Sequence, residues 1–367
     1  MYIKKIVLFD MLIVYNDSIA TSASSTSKSS LFPFSKESNR THYNNAYAYF
    51  LETCNLNNIK AAFTTTKDLN SSRNFDSFWI YKNNSWKKSM QTCSAPLIFD
   101  KFSPKTKKQR QRRLDLFSSS NVKPFNSPKL FSLFFDKQKT FDKLSEYAIP
   151  TVSIDDKSEK GITKTFKKLA ILLQNHPNKN DFSSDIVVKD RYGAGGNRIY
   201  KINSTDTVSK ILDILETDKN QSFLLQPFTK FSKGYFKYNS LKGFVDIRII
   251  FMGQNVIQTY IRTASGSDFR CNEHLGGSLE YINITEIPKK VINMSKKIAL
   301  SVSKKNSLYA LDFIISNNGN VYLMEGNTGP GLDWNSSIKK NVFEGKKLIS
   351  EIVKELSSRM KLPHVIS

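Results

Sequence analysis

The sequence is poor in the residues from which disulfide and zinc frameworks are built. Its 367 residues include only three cysteines and four histidines, and both types are widely scattered. The odd cysteine count and the wide spacing fit neither a disulfide framework nor a zinc site, and a reducing compartment is the simplest reading. The sequence also shows no Ser–His or Cys–His constellation.

Long apolar runs are also missing. The N-terminal stretch resembles a signal peptide, but Asp10 interrupts it. No stretch approaches the ~20 apolar residues that a membrane span needs. We therefore expect a cytoplasmic protein with no membrane partner, whose first buried strand is Ile3–Phe9.

Acidic residues are scarce relative to basic ones. The chain has 55 Lys and Arg against 32 Asp and Glu, a formal charge of +23. Such an excess favours anionic partners such as nucleotides, acidic peptides or nucleic acid. Seven basic residues lie within 101–113, and this run predicts either a solvated helix start or an anion-docking surface.

The order of elements predicts an α/β (α+β) protein of two or three domains. Strands are predicted at Ile59–Thr64, Phe78–Tyr81, Pro96–Phe99, Ile186–Lys189, Ile199–Ile202, Phe223–Gln226, Phe244–Phe251 and Val256–Arg262. Helices are predicted at 43–55, 136–147 (ended by Pro150), 159–174, 207–217, 287–304 and 341–358.

Residues 308–331 carry the strongest chemical signal. Asn318-Gly319 is typical of a two-residue type I′ turn, and counting outward from it places Asp312 opposite Glu325. Two facing carboxylates repel unless a cation lies between them. Asn327 follows on the same face, and three oxygen ligands of this kind suit Mg²⁺ bound to a nucleotide. The alternative is an acidic hairpin with one or both carboxylates in solvent.

A glycine-rich segment follows Lys189. No Gly-Lys-Ser/Thr follows, which excludes a Walker loop, and a strand rather than a helix comes next, which excludes a dinucleotide fingerprint. A flap of strand, glycine loop and strand that cradles phosphates remains, with an ordinary hairpin loop as the alternative.

A further polar group follows in the second half of the chain. Asp246 and Arg248 alternate on one strand and so share a face, and Arg262 ends the partner strand. Arg270 and Asn272 follow near a glycine pair. The group predicts either salt-bridged surface strands or a cluster that stabilises a polyanionic transition state.

Taken in order, these segments resemble the ATP-grasp superfamily, and most closely its RimK-type peptide (glutamate) ligases. The resemblance covers about residues 126–335, whereas residues 1–125 match only the general architecture of a pre-ATP-grasp domain. It implies three parts: an N-terminal α/β domain at 1–125, a central subdomain with the flap at 126–225, and a C-terminal subdomain with the metal site at 226–367.

The resemblance also implies a role for each matching residue. The ATP phosphates would contact Lys137, Lys189, the loop glycines Gly193, Gly195 and Gly196, and Arg270 and Asn272. Adenine would be held at a hinge that contains Gln226 and Phe228, and the ribose would lie near Asp246. Mg²⁺ would bind Asp312, Glu325 and Asn327, and the catalytic arginines Arg248, Arg262 and Arg270 would face the reacting acyl phosphate.

What the resemblance implies chemically is an ATP-dependent carboxylate–amine ligase with one or two Mg²⁺ ions, or Mn²⁺ in their place. Its partners would be ATP, a small carboxylate, and an amine or peptide, with an acidic amino acid or peptide suited to the basic charge. Two alternatives stay open: a phosphotransferase acting on a hydroxyl, and a non-catalytic nucleotide- or nucleic-acid-binding protein. Nucleic acid is disfavoured because no recognised motif for it is present, and the sequence carries no signal of oligomeric state.

Three departures from the family pattern concern the substrates. Gln226 replaces the usual acidic residue before the hinge, Gly326 replaces an apolar residue in the metal strand, and the basic, aromatic insertion Lys230–Lys242 precedes Asp246. None of them removes a predicted metal ligand.

Overall fold

The computed structural model describes residues 6–26, 31–35, 40–104, 106–118, 121–203, 207–237, 240–241, 243–302 and 307–361. The chain forms two compact units. Unit 1 comprises Met1–Pro128, Lys305–Leu308 and Gly329–Ser367, and unit 2 comprises Lys129–Lys304 and Tyr309–Thr328. The predicted three-part division of the chain stays a prediction.

The described residues form both helices and strands. The helices are α1 (Tyr43–Leu56), α2 (Lys107–Phe117), α3 (Pro128–Phe135), α4 (Lys137–Leu144), α5 (Glu159–Gln174), α6 (Thr207–Thr217), α7 (Lys289–Val302) and α8 (Lys339–Lys361). The strands are β1 (Val7–Leu8), β2 (Met11–Tyr15), β3 (Ala61–Thr65), β4 (Phe78–Lys82), β5 (Ser85–Ser89), β6 (Cys93–Ser94), β7 (Leu97–Lys101), β8 (Lys123–Pro124), β9 (Val152–Ser153), β10 (Phe182–Asp190), β11 (Ile199–Ile202), β12 (Phe223–Thr229), β13 (Phe236–Lys237), β14 (Ser240–Leu241), β15 (Val245–Met252), β16 (Asn255–Thr263), β17 (Ser278–Tyr281), β18 (Leu308–Ile315) and β19 (Val321–Asn327).

Unit 1 is built around a six-stranded sheet with the order β5-β4-β3-β2-β7-β8. Strands β3, β2, β7 and β8 are parallel, and β4 and β5 form an antiparallel hairpin at one edge. Strand β2 is buried at every position because it lies in the middle of the sheet. Helix α8 belongs to this unit and packs against α1.

The predicted first strand, Ile3–Phe9, is wrong in position. The buried central strand is β2, whereas the apolar run before it contributes only the two-residue β1, whose Leu8 is 67% exposed. Asp10 is exposed between the two strands and accepts a 2.7 Å hydrogen bond from the backbone N–H of Lys60. Residues 3–5 of the prediction lie outside the described part of the chain.

Unit 2 contains two sheets that carry the candidate site. One is a four-stranded sheet with the order β11-β10-β12-β9, and the other is a five-stranded sheet with the order β17-β16-β15-β18-β19. The inner face of the larger sheet and helix α7 form one apolar core that includes Phe251, Val291 and Tyr309. The predicted α/β fold class is confirmed, and so are the helices predicted at 43–55, 159–174 and 207–217.

Two predicted helices end at other residues. The helix predicted at 136–147 spans Lys137–Leu144, with Asp136 as its N-cap. The terminal helix is longer than predicted at both ends. The helix predicted at 287–304 begins at Lys289, and its last two predicted residues lie outside the described part of the chain.

Candidate functional site

The β18–β19 hairpin places Asp312 directly opposite Glu325, as the sequence predicts. The predicted turn is wrong, because the loop has three residues: the Ser316 N–H donates to the Asn320 carbonyl at 2.8 Å. A type I′ turn needs positive φ at both central residues, and here Gly319 has φ +80° whereas Asn318 does not have a positive φ. An irregularity between Asp312 and Phe313 then shifts the pairing by one residue, which restores the predicted opposition.

Asp181 stabilises the tip of this hairpin. Its buried carboxylate accepts hydrogen bonds from Asn318 (2.7 Å), Asn320 (2.9 Å) and the Tyr322 hydroxyl (2.6 Å). Burial alone would raise the pKa of Asp181, but these donors outweigh it and hold the pKa below its usual range. Asn318, which suggested a tight turn, therefore binds a carboxylate together with Asn320.

Two arginines bind Asp312, one of the predicted metal ligands. Arg248 donates to both oxygens of Asp312 through Nε and Nη2, and Arg262 donates to the same carboxylate at 2.9 Å. Arg262 also forms a bidentate pair with Asp246, at 2.7 and 2.9 Å. Burial works against ionisation of Asp312, but the two guanidinium groups outweigh it and hold its pKa below the usual range. The structure thus brings four predicted site residues into one buried ion-pair network.

The predicted metal ligands differ in how far their oxygens are already occupied. Asp312 has three of its roughly four acceptor positions occupied by guanidinium N–H groups, so about one remains. The Glu325 side chain is 25% exposed and lies 3.9 Å from Arg248, beyond hydrogen-bond distance. Asn327 follows on β19. This donor set fits a Mg²⁺ ion bound mainly through Glu325, with Asp312 as a second ligand. Among the described residues, no group of three or more His, Cys, Asp and Glu is placed to hold a metal by itself.

Lys137 and Lys189 form a second, cationic part of the site. The pKa of Lys189 is lowered to about 8, mainly by burial and also by the charge on Lys137, while Glu325 opposes the shift. Burial also lowers the pKa of Lys137, against the opposing charges of Glu325, Asp190 and Asp136. Burial thus disfavours the charge on both lysines and Glu325 favours it, a balance expected where an anion is to be bound.

The glycine loop joins β10 to β11, which confirms the predicted arrangement of strand, loop and strand. Gly195 and Gly196 have φ values of +71° and +75°, which side chains rarely adopt. A Cβ on Gly196 would lie 2.5 Å from Asn272 Oδ1, and Arg270 approaches the Gly196 carbonyl at 3.5 Å. The loop, Arg270 and Asn272 are thus brought together.

The predicted hinge residues lie on β12. The Gln226 amide donates to the Thr151 hydroxyl at 2.7 Å. Phe228 packs edge-on against Phe269, and the Lys201 ammonium lies 4.0 Å from the centre of its ring. Both side chains are buried, and their role toward a nucleobase stays a prediction.

Sequence reasoning missed Arg191 as a site residue. Arg191 forms a bidentate ion pair with Asp136, at 2.7 and 2.8 Å, and so binds the glycine loop to the start of α4. The only sequence signals were a charged residue at the end of a strand and an aspartate at a helix N-cap. Neither shows that residues 136 and 191 meet.

The basic run at 101–113 divides into structural and exposed residues. Lys101 donates to the carbonyls of Gly329 (3.1 Å) and Pro330 (2.6 Å), within unit 1. Arg113 is buried in an ion pair with Asp100 and lies over the ring of Phe117. The exposed cations of α2 include Lys108 and Arg112. In the part of the chain that the structure describes, no helix is both long and apolar enough to cross a bilayer.

The fold defines the class of protein. The solved structure of the D-cycloserine synthetase DcsG matches with a TM-score of 0.59 and 11% identity, covering 96% of this chain and 100% of that one. The ATP-grasp ligase PsnB, solved with a phosphomimetic variant of its minimal precursor, Mg and ADP, matches with a TM-score of 0.54 and 12% identity, over 96% of this chain and 100% of that one. At such low identity these matches establish the fold, which is the ATP-grasp fold.

The family follows from the sequence. Residues 156–352, more than half of the chain, match the RimK-like ATP-grasp domain. The chain belongs to this family. A probable alpha-L-glutamate ligase of Coxiella burnetii is 32% identical over 117 residues, which cover 32% of this chain and 36% of that protein. The match thus spans about a third of the relative's length.

Proposed function

We propose that this protein is an ATP-dependent ligase that joins a carboxylate to an amine through an acyl phosphate. The observation that carries the proposal is the opposition of Asp312 and Glu325 beside two buried arginines. Carboxylates on one side would hold a metal–nucleotide complex, and guanidinium groups on the other would face the charge that develops during acyl transfer.

The nucleotide would be held by unit 2. Its phosphates would meet Lys137, Lys189, Arg270, Asn272 and the backbone N–H groups of the loop at Gly193, Gly195 and Gly196. Its base would lie against the hinge at Gln226 and Phe228, and its ribose near Asp246. One or two Mg²⁺ ions, or Mn²⁺, held by Asp312, Glu325 and Asn327 would neutralise phosphate charge.

The protein's own groups would act mainly by position and charge. In the first half-reaction a substrate carboxylate oxygen attacks the γ-phosphorus of ATP, and the bond to the β-phosphate oxygen breaks to release ADP. The amine then attacks the acyl carbon, loses a proton, and displaces phosphate. Arg248 and Arg262 are held in fixed orientations by Asp312 and Asp246, so they would stabilise the oxyanion without reorganising.

For the substrates, we propose an acidic amino acid or an acidic peptide. The support is the formal charge of +23 and the name of the curated relative, a probable alpha-L-glutamate ligase.

The direct test is a search for products. The purified protein would be incubated with Mg-ATP and a panel of amino acids, dipeptides and acidic peptides, and analysed by mass spectrometry. We expect a product lighter by one water than its two components, formed with ADP and phosphate and absent with Glu325→Gln. A phosphorylated hydroxyl compound without a new amide would establish the phosphotransferase instead. Absence of ADP formation with every substrate would contradict both.

ATP affinity should fall as the pH rises through about 8, because Lys189 then loses the charge that attracts phosphate. Linkage limits the fall to about tenfold per pH unit. The effect on stability has the opposite sign: the pKa of Lys189 is lower in the folded chain, so the cost of burying its charge is present below pH 8 and disappears as the pH rises. Calorimetric titration of Mg-ATP at pH 7 and pH 9 measures the fall in affinity. Lys189→Arg keeps its charge and should remove that fall; an unchanged pH dependence in this variant would refute the assignment.

Acceptor docking can be tested on the exposed face of α2. Replacing Lys108 and Arg112 with glutamine should weaken an acidic acceptor roughly 2- to 30-fold, if each exposed cation contributes about 0.2–1 kcal/mol. The KM for the acceptor, measured at several salt concentrations, should also lose part of its salt dependence. Lys347→Gln with Lys354→Gln changes the net charge equally on exposed α8 positions, and should have little effect. Equal effects of the two pairs would exclude α2 as the docking surface.

A further inference from the structure

Four consecutive residues, Phe134 to Lys137, contact different parts of the site; we call them the 134–137 segment. The Phe134 ring packs against Gly326 of the metal strand, where a Cβ would lie 2.2 Å from Phe134 Cδ1. The other three residues reach the glycine loop. Phe135 stacks on Tyr192 at 5.1 Å, Asp136 pairs with Arg191, and Lys137 Nζ donates to the Gly193 carbonyl.

Asp136 is the centre of these contacts. Its side chain is only 5% exposed, and a buried carboxylate needs partners. One oxygen accepts the Gln138 N–H at 3.0 Å and so caps α4, while both oxygens accept from Arg191. The backbone N–H of Lys137 also donates to the Arg191 carbonyl at 3.3 Å. One carboxylate therefore fixes the first turn of α4 and the entry of the loop together.

The exit of the loop has its own anchor. Arg198 has φ +53° and donates to Asp218 at 2.9 Å. With both ends fixed, residues 192–197 form a short closed segment whose conformational freedom is small. Lys137 contributes one of its three N–H donors to the Gly193 carbonyl, so the remaining donors can serve a phosphate while the loop stays in place.

We propose that the Asp136–Arg191 pair is a positioning device that orders the glycine loop before a nucleotide binds, and so sets the affinity for ATP. This rests on the proposed nucleotide site. Because the loop is ordered in advance, binding does not have to supply that ordering. Asp136 and Arg191 are therefore positioning residues: they act through the loop and through Lys137, and they touch no reacting atom.

The test compares Asp136→Asn, Arg191→Gln and the double variant. Asparagine keeps the helix cap, since it is as good an N-cap as aspartate, but it loses the ion pair. Hydrogen exchange of the amides at 192–197, measured without nucleotide, should become faster in all three variants, and the double variant should exchange no faster than the more affected single variant, because the three changes remove one shared interaction. The Kd for Mg-ATP should rise roughly tenfold, as expected for the loss of a charged hydrogen-bonded pair. The kcat should stay near that of the wild type.

Two controls sharpen the comparison. Lys219→Gln removes the same charge at an exposed position in unit 2, and should leave exchange and affinity unchanged. Arg191→Lys keeps the charge but loses the bidentate geometry, and should give intermediate values.

Several outcomes would overturn the proposal. Wild-type exchange rates in both single variants would show that the pair does not order the loop. Faster exchange with unchanged affinity would show that order there has no bearing on ATP, and a lower kcat with unchanged affinity would indicate a different role. Failure of the wild-type protein to bind ATP would refute the proposed function itself, and the exchange experiment without nucleotide distinguishes that failure from the others.

Discussion

Asp312→Ala should abolish ligation and lower the free energy of unfolding of unit 2 by about 3–5 kcal/mol, the usual cost of removing one member of a buried ion pair. The reason is that Arg248 and Arg262 would keep their charges in a buried site after losing the carboxylate they share. Urea unfolding followed by far-UV circular dichroism measures the loss. Tryptophan fluorescence is unsuitable, because Trp79, Trp86 and Trp334 all belong to unit 1.

Glu325→Gln is the matched variant. Glu325 faces Asp312 across the hairpin but is 25% exposed and not hydrogen-bonded to either arginine. Because no hydrogen bond to either arginine is lost, its replacement should cost about 1 kcal/mol of stability, the central value for point substitutions, and clearly less than Asp312→Ala. Activity should fall by more than the roughly 10- to 100-fold that loss of an outer-shell metal partner costs. Full activity in this variant would refute Glu325 as a metal ligand. Equal destabilisation by the two variants would show that Glu325, too, is held by the ion-pair network.

The opposition of Asp312 and Glu325 could be predicted from the sequence, although the turn used to derive it was wrong. Asn318-Gly319 indicated a hairpin correctly. The extra loop residue and the irregularity beside Asp312 shift the register by equal amounts in opposite directions. A turn dipeptide reports the presence of a hairpin, but the loop length depends on partners such as Asp181, which is more than 130 residues away in sequence and leaves no local signal.

From the repulsion of two facing carboxylates, the sequence predicted that a positive charge lies beside them, but not which groups carry it. The sequence pointed to a metal ion, and the structure places two guanidinium groups against Asp312. The alternation of Asp246 and Arg248 put both on one face of β15, which was correct. It could not show that this face meets β18, because strands β15 and β18 are neighbours in the sheet but distant in sequence. The Asp136–Arg191 pair was missed for the same reason.

Gly326→Ala should destabilise unit 2 by about 1–3 kcal/mol, the usual cost of overpacking a core. The added Cβ would lie 2.2 Å from Cδ1 and 2.4 Å from Cε1 of Phe134, so the ring must move. Phe134 is itself confined by Tyr309, whose ring centre is 5.8 Å away. Because Gly326 lies between Glu325 and Asn327, and Phe134 lies two residues before Asp136, the displacement should also raise the KM for ATP. Far-UV circular dichroism in urea and steady-state kinetics measure the two effects.

Phe134→Leu tests whether the contact with the ring is the cause. Alone, it should destabilise the unit by opening space beside Gly326. Combined with Gly326→Ala, it should cost less than the sum of the two single changes, because the new methyl group fills the space that the smaller side chain leaves. Coupling of about 0.5–3 kcal/mol is expected between residues in direct contact. Strict additivity would show that the alanine acts through the backbone of β19. In that case glycine would be required at position 326 by the backbone geometry of β19, and not by the packing of the 134–137 segment against this strand.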